Sequence, residues 1–311
     1  MSPIDHAAAL LSPNSQAADG ETGRWRGAYG GDGAAPLVTI VTATMNAAAA
    51  LPHTIRSFRE QIGPRFEWLV VDGGSTDGTV DLLRASEELA SWISEPDEGI
   101  YDAWNKACRH ARGEWILFLG AGDELAANNV LERMAPHLSG AHPRFDVVYG
   151  RVQNISEQGR QVLEEVGEPW EGMRRRWEIG RPALPPHSGV FHHRSVLFGE
   201  QPFDTRFRLA GDAHLLLQHV IRKAPLFVPI IVDRTPVGGV SMQFGNVIEL
   251  YREIEEIDRE LGLVPPFWHH VADQVALAGK VAASLLPATM GHIVADTYRV
   301  IAGKPRRWLV R

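Results

Sequence analysis

The chain has 311 residues, 44% of them apolar and 22% charged, with 31 Lys and Arg set against 38 Asp and Glu. Such a composition belongs to a globular protein able to bury a sizeable core, and it excludes fibrous and disordered classes. The formal charge of −7 speaks against a nucleic-acid partner, which would need a dense basic surface to displace phosphate counterions.

Residues 1–35 are rich in Ala, Gly, Ser, Asp and Pro. They lack the basic and apolar regions of a signal peptide and read as a loose, flexible tail. Cys108 is the only cysteine, so no intrachain disulfide is possible and the cytoplasm is the expected compartment. The best candidate for a membrane span, residues 275–290, is interrupted by Lys280 and Pro287. No apolar run reaches the roughly 18 residues that a spanning helix requires.

Residues 37–41 form a continuous β-branched and apolar run behind Pro36, as in the buried strands of parallel sheets. Leu51, Ile55, Phe58 and Ile62 then recur at helical spacing until Gly63-Pro64 stops the pattern. A second buried strand, 66–71, ends at Asp72-Gly73-Gly74, and Ser75-Thr76-Asp77 offers an N-cap and an early acid for a helix carrying Val80, Leu83 and Leu89. Trp92-Ile93 is a short third strand, 103–111 a helix, and 114–119 a fourth strand running into Gly120-Ala121-Gly122-Asp123. A helix over 130–138 and a strand over 146–149 continue an alternation that predicts a mostly parallel sheet.

From 150 to 210 the period weakens. That stretch carries turn signals, the basic patch Arg174-Arg175-Arg176 and the segment Pro185-Pro186-His187-Ser188, and reads as the substrate-facing half. A strand over 226–232 and a charged amphipathic helix over 247–261 follow. Val271, Val275, Ala278, Ala282 and Leu285 then recur at helical spacing, and Lys304, Arg306, Arg307, Trp308 and Arg311 crowd the end. These features suit either an anionic membrane surface or packing on the domain itself or a second subunit.

In open α/β sheets, ligands lie beyond the carboxyl ends of the strands. Thr42, Ala43 and Thr44 end the first strand, Asp72 the second and Asp123 the fourth, so parallel strands would bring them to one edge. Asp72 could accept hydrogen bonds from a base or ribose, and Asp123 could ligate a divalent metal that neutralises a diphosphate. Taken singly, each acid reads at least as well as a turn cap.

Taken together, these pieces resemble the inverting glycosyltransferases of family 2 over residues 37–241. The most specific segments are Val71-Asp72-Gly73-Gly74-Ser75-Thr76-Asp77-Gly78-Thr79 and Glu95-Pro96-Asp97-Glu98-Gly99-Ile100-Tyr101-Asp102-Ala103-Trp104-Asn105-Lys106. Phe118-Leu119-Gly120-Ala121-Gly122-Asp123 stands where that family carries its metal-binding acidic motif, with Gly122 in place of the first acid. Leu209-Ala210-Gly211-Asp212 resembles the segment that supplies the catalytic base, and Gly238-Gly239-Val240-Ser241 a loop that closes over the diphosphate.

The resemblance implies the α/β GT-A fold, a Rossmann-like αβα sandwich with a mostly parallel central sheet and a C-terminal helical extension. Behind the tail, residues 36–243 would be the catalytic domain, with 36–150 the nucleotide-sugar half and 151–243 the acceptor half; 244–311 would be the extension. It implies Asp212 as general base and Asp123 as ligand of a divalent metal, Mg2+ or Mn2+. The donor site would draw on Thr42, Ala43, Thr44, Asp72, Ser75, Asp97, Asp102 and His187. An inverting transfer needs one carboxylate, opposite the leaving diphosphate, to take the acceptor proton. Asp212 also fits a helix N-terminus and Asp102 a cap, and Ser188 replaces the Gln that follows the family histidine. The implied partners are a nucleotide-diphosphate sugar and a glycan or lipid-linked acceptor of bacterial envelope assembly, with no nucleic acid. Peripheral contact with the inner membrane face, or a homo-oligomer, would run through the C-terminal helices.

Rival chemistries need a different loop. An oxidoreductase would place a Gly-rich turn after the first strand, and a nucleotidyltransferase a Gly- and Lys-rich one, where Thr42-Ala43-Thr44-Met45-Asn46 stands. A non-catalytic sugar-nucleotide binder stays open, because a fold by itself guarantees no chemistry.

Overall fold

The computed structural model describes residues 26–27, 35–64, 66–86, 91–156, 160–178, 182–197, 199, 201–239, 244–263, 266–284, 286–301 and 306. At its centre β2 (Val38–Thr44) pairs in parallel with β3 (Phe66–Asp72) on one side and β5 (Trp115–Gly120) on the other. Side chains alternate along each strand. Ile40, Trp68, Val70, Leu117 and Leu119 enter one core; Val41, Leu69, Val71, Ile116 and Phe118 enter the other. Both faces are therefore covered, which is why these strands read as unbroken apolar runs.

Helix α1 (Leu51–Arg59) covers the first face with Leu51, Ile55 and Phe58, aided by α4 (Val130–Leu138). Phe58 meets Trp68 edge to face at 4.8 Å; full burial of such a side chain contributes about 1.5–3 kcal/mol. Helix α3 (Ile100–Cys108) covers the second face with Tyr101, Ala103, Trp104 and Ala107. Helix α1 stops short of Ile62, which is 53% exposed and donates its backbone N–H to Asn128 instead of continuing the helix. Helix α2 (Thr79–Arg84) is short and starts where Asp77 accepts the Thr79 backbone N–H.

The sheet is mixed beyond β5, a correction to the mostly parallel expectation. Its order is β1-β4-β3-β2-β5-β9-β7-β10-β6, with β8 on β7. Here β1 is Arg26–Gly27, β4 Ser91–Ser94, β6 Glu124–Leu125, β7 Val147–Ile155, β8 Val162–Val166, β9 Val190–His193 and β10 Leu226–Pro236. Strand β9 enters antiparallel to both β5 and β7, carried there by Val190 and Phe191, both fully buried. His192 is fully buried and His193 nearly so. The tail reading is also corrected at one point: Arg26–Gly27 pairs with Trp92 and Ser91 as an edge strand. Residues 1–25 lie outside the described residues.

Helix α5 (Trp170–Arg176) buries Trp170 and Met173 and turns its three arginines outward. Helix α6 (Gly211–Val220) follows the loop before Asp212. The C-terminal part comprises α7 (Val247–Glu260), α8 (Phe267–Ser284) and α9 (Ala288–Ile301). Among the described residues no helix is long and apolar enough to cross a membrane. Leu285, Lys304, Arg307, Trp308 and Arg311 lie outside the described residues, as do Val240 and Ser241.

Candidate active site

Parallel register sets Thr44 opposite Asp72 and Asp72 opposite Ser94, so three polar residues leave the sheet side by side. Asp72 is fully buried. Its Oδ1 accepts from the hydroxyls of Thr44 at 2.9 Å and Ser75 at 2.5 Å. Its Oδ2 accepts from the backbone N–H groups of Gly74 and Ser75, at 3.1 and 2.9 Å, and from the Ser94 hydroxyl at 2.7 Å. The turn so fixed is tied to the loop after β2. Asn46 donates its N–H to Ser75 Oγ at 2.7 Å and accepts the Thr76 N–H at 3.0 Å, while Ala48 donates to Asp77 at 2.9 Å. Thr44, Asp72 and Ser75 are thus brought together as the frame of a two-loop ledge, and a ligand of Asp72 would have to take over one of these bonds.

Thr42 requires a correction. It is fully buried, and its Oγ1 accepts the Trp68 indole N–H at 3.0 Å, because alternation along β2 sends it to the core face of Ile40. Ala43, one residue on, is half-buried.

The segment before α3 lies against this ledge. A Cβ on Gly73 would come within 2.7 Å of Asp97 Oδ2, so glycine permits the approach. Asp97 accepts the Gly99 N–H at 2.9 Å. Burial raises its pKa above the ordinary carboxylate value, against the pull of that bond and of Lys106. Asp102 accepts the Glu98 N–H at 3.2 Å and pairs with Lys106, one turn on, at 3.2 Å; the helix starts at Ile100 behind Gly99, ahead of position 103. Lys106 also meets Glu95 at 3.0 Å and the Pro96 carbonyl at 2.9 Å.

Tyr101 joins this segment to Asp212. Its hydroxyl donates to Asp212 Oδ1 at 3.1 Å, and the Ala213 N–H donates to the same oxygen at 2.8 Å. The ring is 5% exposed and stacks on Phe203 at 5.8 Å. Burial, then the Asp212 charge, pushes the phenol upward, so it stays protonated and donating. Gly211 is needed here, since a Cβ would meet the Tyr101 ring at 2.8 Å. Asp212 and Asp102 line one cavity of about 380 Å³ with Trp104, Arg208 and Asn246, within the size range of small-molecule sites. The wall carrying Arg208 is held from α7, where Glu253 accepts the N–H groups of Arg208, Leu209 and Ala210 at 2.7, 2.9 and 2.8 Å. A boundary after 243 therefore does not separate the extension from the site.

Asp123 is 7% exposed. Its Oδ2 accepts the Gly120 N–H at 2.7 Å. Burial raises its pKa to about 7, with the bonds from Gly120 and Thr235 and the Arg160 charge acting in opposition. Asp233 on β10 is fully buried and held well above the ordinary carboxylate value, first by burial and then by the Asp123 charge. The Thr235 hydroxyl donates to Asp233 and lies 3.1 Å from Ser188 Oγ. His187 stacks on Trp104 at 5.2 Å and Phe118 at 5.7 Å; burial lowers its pKa, while the Asp212 charge acts the other way. The Asp123 and Asp212 sides are thereby linked through Ser188, His187, Trp104 and Tyr101.

Among the described residues no group of three or more His, Cys, Asp or Glu could hold a metal ion alone. One or two carboxylates with phosphate oxygens and water is the usual donor set for Mg2+, and Asp123 fits it. Arg174 and Arg176 face other partners: Arg174 lies over the Trp177 ring at 4.8 Å, and Arg176 pairs with Glu168. Tyr101, Glu253, Asp233 and Asn46 shape the site without standing among the residues that the sequence points to. Only Tyr101 and Asn46, inside quoted motifs, carried a signal that could have found them.

The sequence profile described as glycosyl transferase family 2 matches residues 39–205, a span that holds the ledge, α3 and Asp123. The chain belongs to glycosyl transferase family 2. A PGL/p-HBAD biosynthesis glycosyltransferase of Mycobacterium bovis is 32% identical to this family 2 protein over 186 residues, 58% of this chain and 68% of the relative. A putative teichuronic acid biosynthesis glycosyltransferase of Bacillus subtilis is 36% identical over 93 residues, 29% and 37% of the two chains. In fold, the chain is similar to S. aureus TarS in complex with UDP, with a TM-score of 0.52, 16% identity, and 79% of this chain and 70% of that one covered. It is likewise similar to a mannosyltransferase from Pyrobaculum calidifontis in complex with GDP-Man and Mn2+, with a TM-score of 0.51, 20% identity and coverage of 96% and 86%. The family 2 protein is therefore a transferase of GT-A fold, which sets aside the nucleotidyltransferase and non-catalytic readings.

Proposed function

We propose that this enzyme moves a sugar from a nucleotide-diphosphate donor to a hydroxyl of a glycan or lipid-linked acceptor, with inversion at the anomeric carbon. The observation that carries this reading is Asp212, whose carboxylate opens on the 380 Å³ cavity while Tyr101 and the Ala213 N–H steady one of its oxygens. The acceptor oxygen attacks the anomeric carbon as its proton passes to Asp212, and the bond to the diphosphate breaks on the opposite face. The ledge of Thr44, Asp72 and Ser75, with Asp97 against it, supports placing the nucleotide there, and Asp102 on the cavity wall, with His187 behind Trp104, supports placing the sugar on the Asp212 side. A divalent cation held at Asp123 would supply charge to the departing diphosphate. The solvent-facing apolar side chains Val275, Ile293 and Val294, exposed by 69%, 51% and 46%, favour an acceptor met at the inner membrane face in polysaccharide assembly.

A thermal-shift screen of nucleotide sugars with Mn2+ should find a stabilising donor. Transfer from that donor should then fail in Asp212→Asn while the stabilisation persists. Full turnover by the variant would reject Asp212 as base.

A further inference from the structure

The family motif carries an acid where this chain has Gly122. Its φ of +100° is one that side chains rarely adopt, and a Cβ there would stand 3.1 Å from Ala50 Cβ. A second carboxylate for the metal therefore cannot come from position 122, yet the fold delivers one from elsewhere. Strands β6 and β10 are antiparallel, with Leu125 opposite Asp233 and Glu124 opposite Arg234. One step further, the same register sets Thr235 opposite Asp123, and Asp233 shares the face of Thr235 because side chains alternate. The Thr235 hydroxyl donates to Asp233 Oδ2 and is near enough to Asp123 to act on its carboxylate. Asp233 Oδ1 is buried, in a side chain of zero exposure, without a well-formed hydrogen bond, although the Ser188 hydroxyl is close enough to act on the carboxylate. Arg160, whose charge reaches Asp123, directs its Nη2 to Glu124 at 3.0 Å and to the Gly122 carbonyl at 3.1 Å, and its buried Nε has no hydrogen-bond partner. Two neighbouring carboxylates withdrawn from water need a cation or a shared proton between them.

We propose that Asp233 is the second protein ligand of the divalent cation, taking with Asp123 the place of the acid lost at Gly122. The inference rests on the metal role proposed for Asp123. Diphosphate oxygens and water would complete the set, as is usual when protein supplies two carboxylates. The missing motif acid thus does not weaken metal dependence in this chain; the acid has moved to another strand.

The test is Mn2+ binding to the full chain, by calorimetry and electron paramagnetic resonance, with Mn2+ alone and with Mn2+ plus UDP or GDP. Asp233→Asn is expected to weaken Mn2+ at least tenfold and, in EDTA, to melt no lower than wild type, because the neutral amide removes like-charge repulsion. Crystals of wild type grown with Mn2+ should show an anomalous peak in direct contact with both carboxylates, a measurement that does not depend on the variant folding. Wild-type affinity in Asp233→Asn, with binding lost in Asp123→Asn, would overturn the role of Asp233 and leave that of Asp123 standing. A peak touching Asp123 only would do the same. Failure of wild type to bind Mn2+ under any of these conditions would overturn both.

Discussion

Glu253, on a helix of the C-terminal extension, holds the backbone N–H of Ala210 at 2.8 Å, two residues ahead of Asp212. Its two oxygens also take the N–H groups of Arg208 and Leu209. Ile257, one turn on, packs with Phe207, Ala210 and Leu217. Glu253→Ala leaves three donors short of an acceptor, and each buried unpaired group costs about 1–3 kcal/mol. We expect lower stability, by at least about 2 kcal/mol after the loop relaxes, and a fall in kcat larger than any change in donor affinity. Chemical denaturation alongside single-turnover kinetics checks both, and wild-type values in both would refute the latch.

Asp212→Asn keeps the shape of the side chain and removes its basicity. Transfer should drop by roughly a hundredfold or more, the range for loss of a general base, with donor binding measured by calorimetry unchanged. Loss of donor affinity in parallel with rate would instead place Asp212 among the binding groups.

The buried acid at Asp123 makes stability depend on pH. Its ordinary value is 3.8 and its folded value about 7, so between these the folded chain keeps a proton that the unfolded chain has released. Stability therefore falls as pH rises through that window and levels off above it. Buried His187 and His192, both lowered, act in the opposite sense below the ordinary histidine value, and Asp233, raised in part by the Asp123 charge, acts in the same sense as Asp123, so the comparison is made in an Asp233→Asn background. In EDTA between pH 5 and 8, Asp233→Asn minus the double variant with Asp123→Asn should show a declining difference; a flat one would mean that Asp123 ionises normally. Mn2+ must displace the same proton, so its affinity should climb by up to about tenfold per pH unit across the window.

Gly122→Asp would restore the family's first acid on paper. The left-handed backbone costs a side chain about 1–2 kcal/mol, and the new Cβ would head for Ala50 and Pro236. We expect the melting temperature to fall by roughly 2–4 °C or more, with no gain in Mn2+ affinity. A tighter, equally stable variant would show that the loop can turn its chain around at this point.

The parallel half was legible because its strands bury both faces: unbroken apolar runs such as 66–71 can be little else, and the polar residues that end them mark the sheet edge. Asp212 and Asp123 were legible only through motif context, since each alone reads as a cap. Strand β9 is not legible because its four residues include two histidines, and only its place between β5 and β7 makes them core. Glu253 and Asp233 were invisible for a related reason. One looks like any acid on a charged helix, the other like a polar residue in a strand, and their meaning comes from partners 43 or more positions away in the chain. Thr42 shows the reverse error, where position at a strand end suggested a ligand and the pleat assigned the core.

Strand β9 is hydrogen-bonded along both edges, to β5 and to β7, so the strand bearing Asp72 and the strand that ends three residues ahead of Asp123 are continuous through one sheet with the strand bearing Asp233. Two lobes joined in this way have no hinge between them. Water must then be shut out by movement of surface loops and side chains, not by a clamshell rotation. Small-angle scattering with and without saturating nucleotide should return the same radius of gyration, while hydrogen exchange slows in the loops around the cavity.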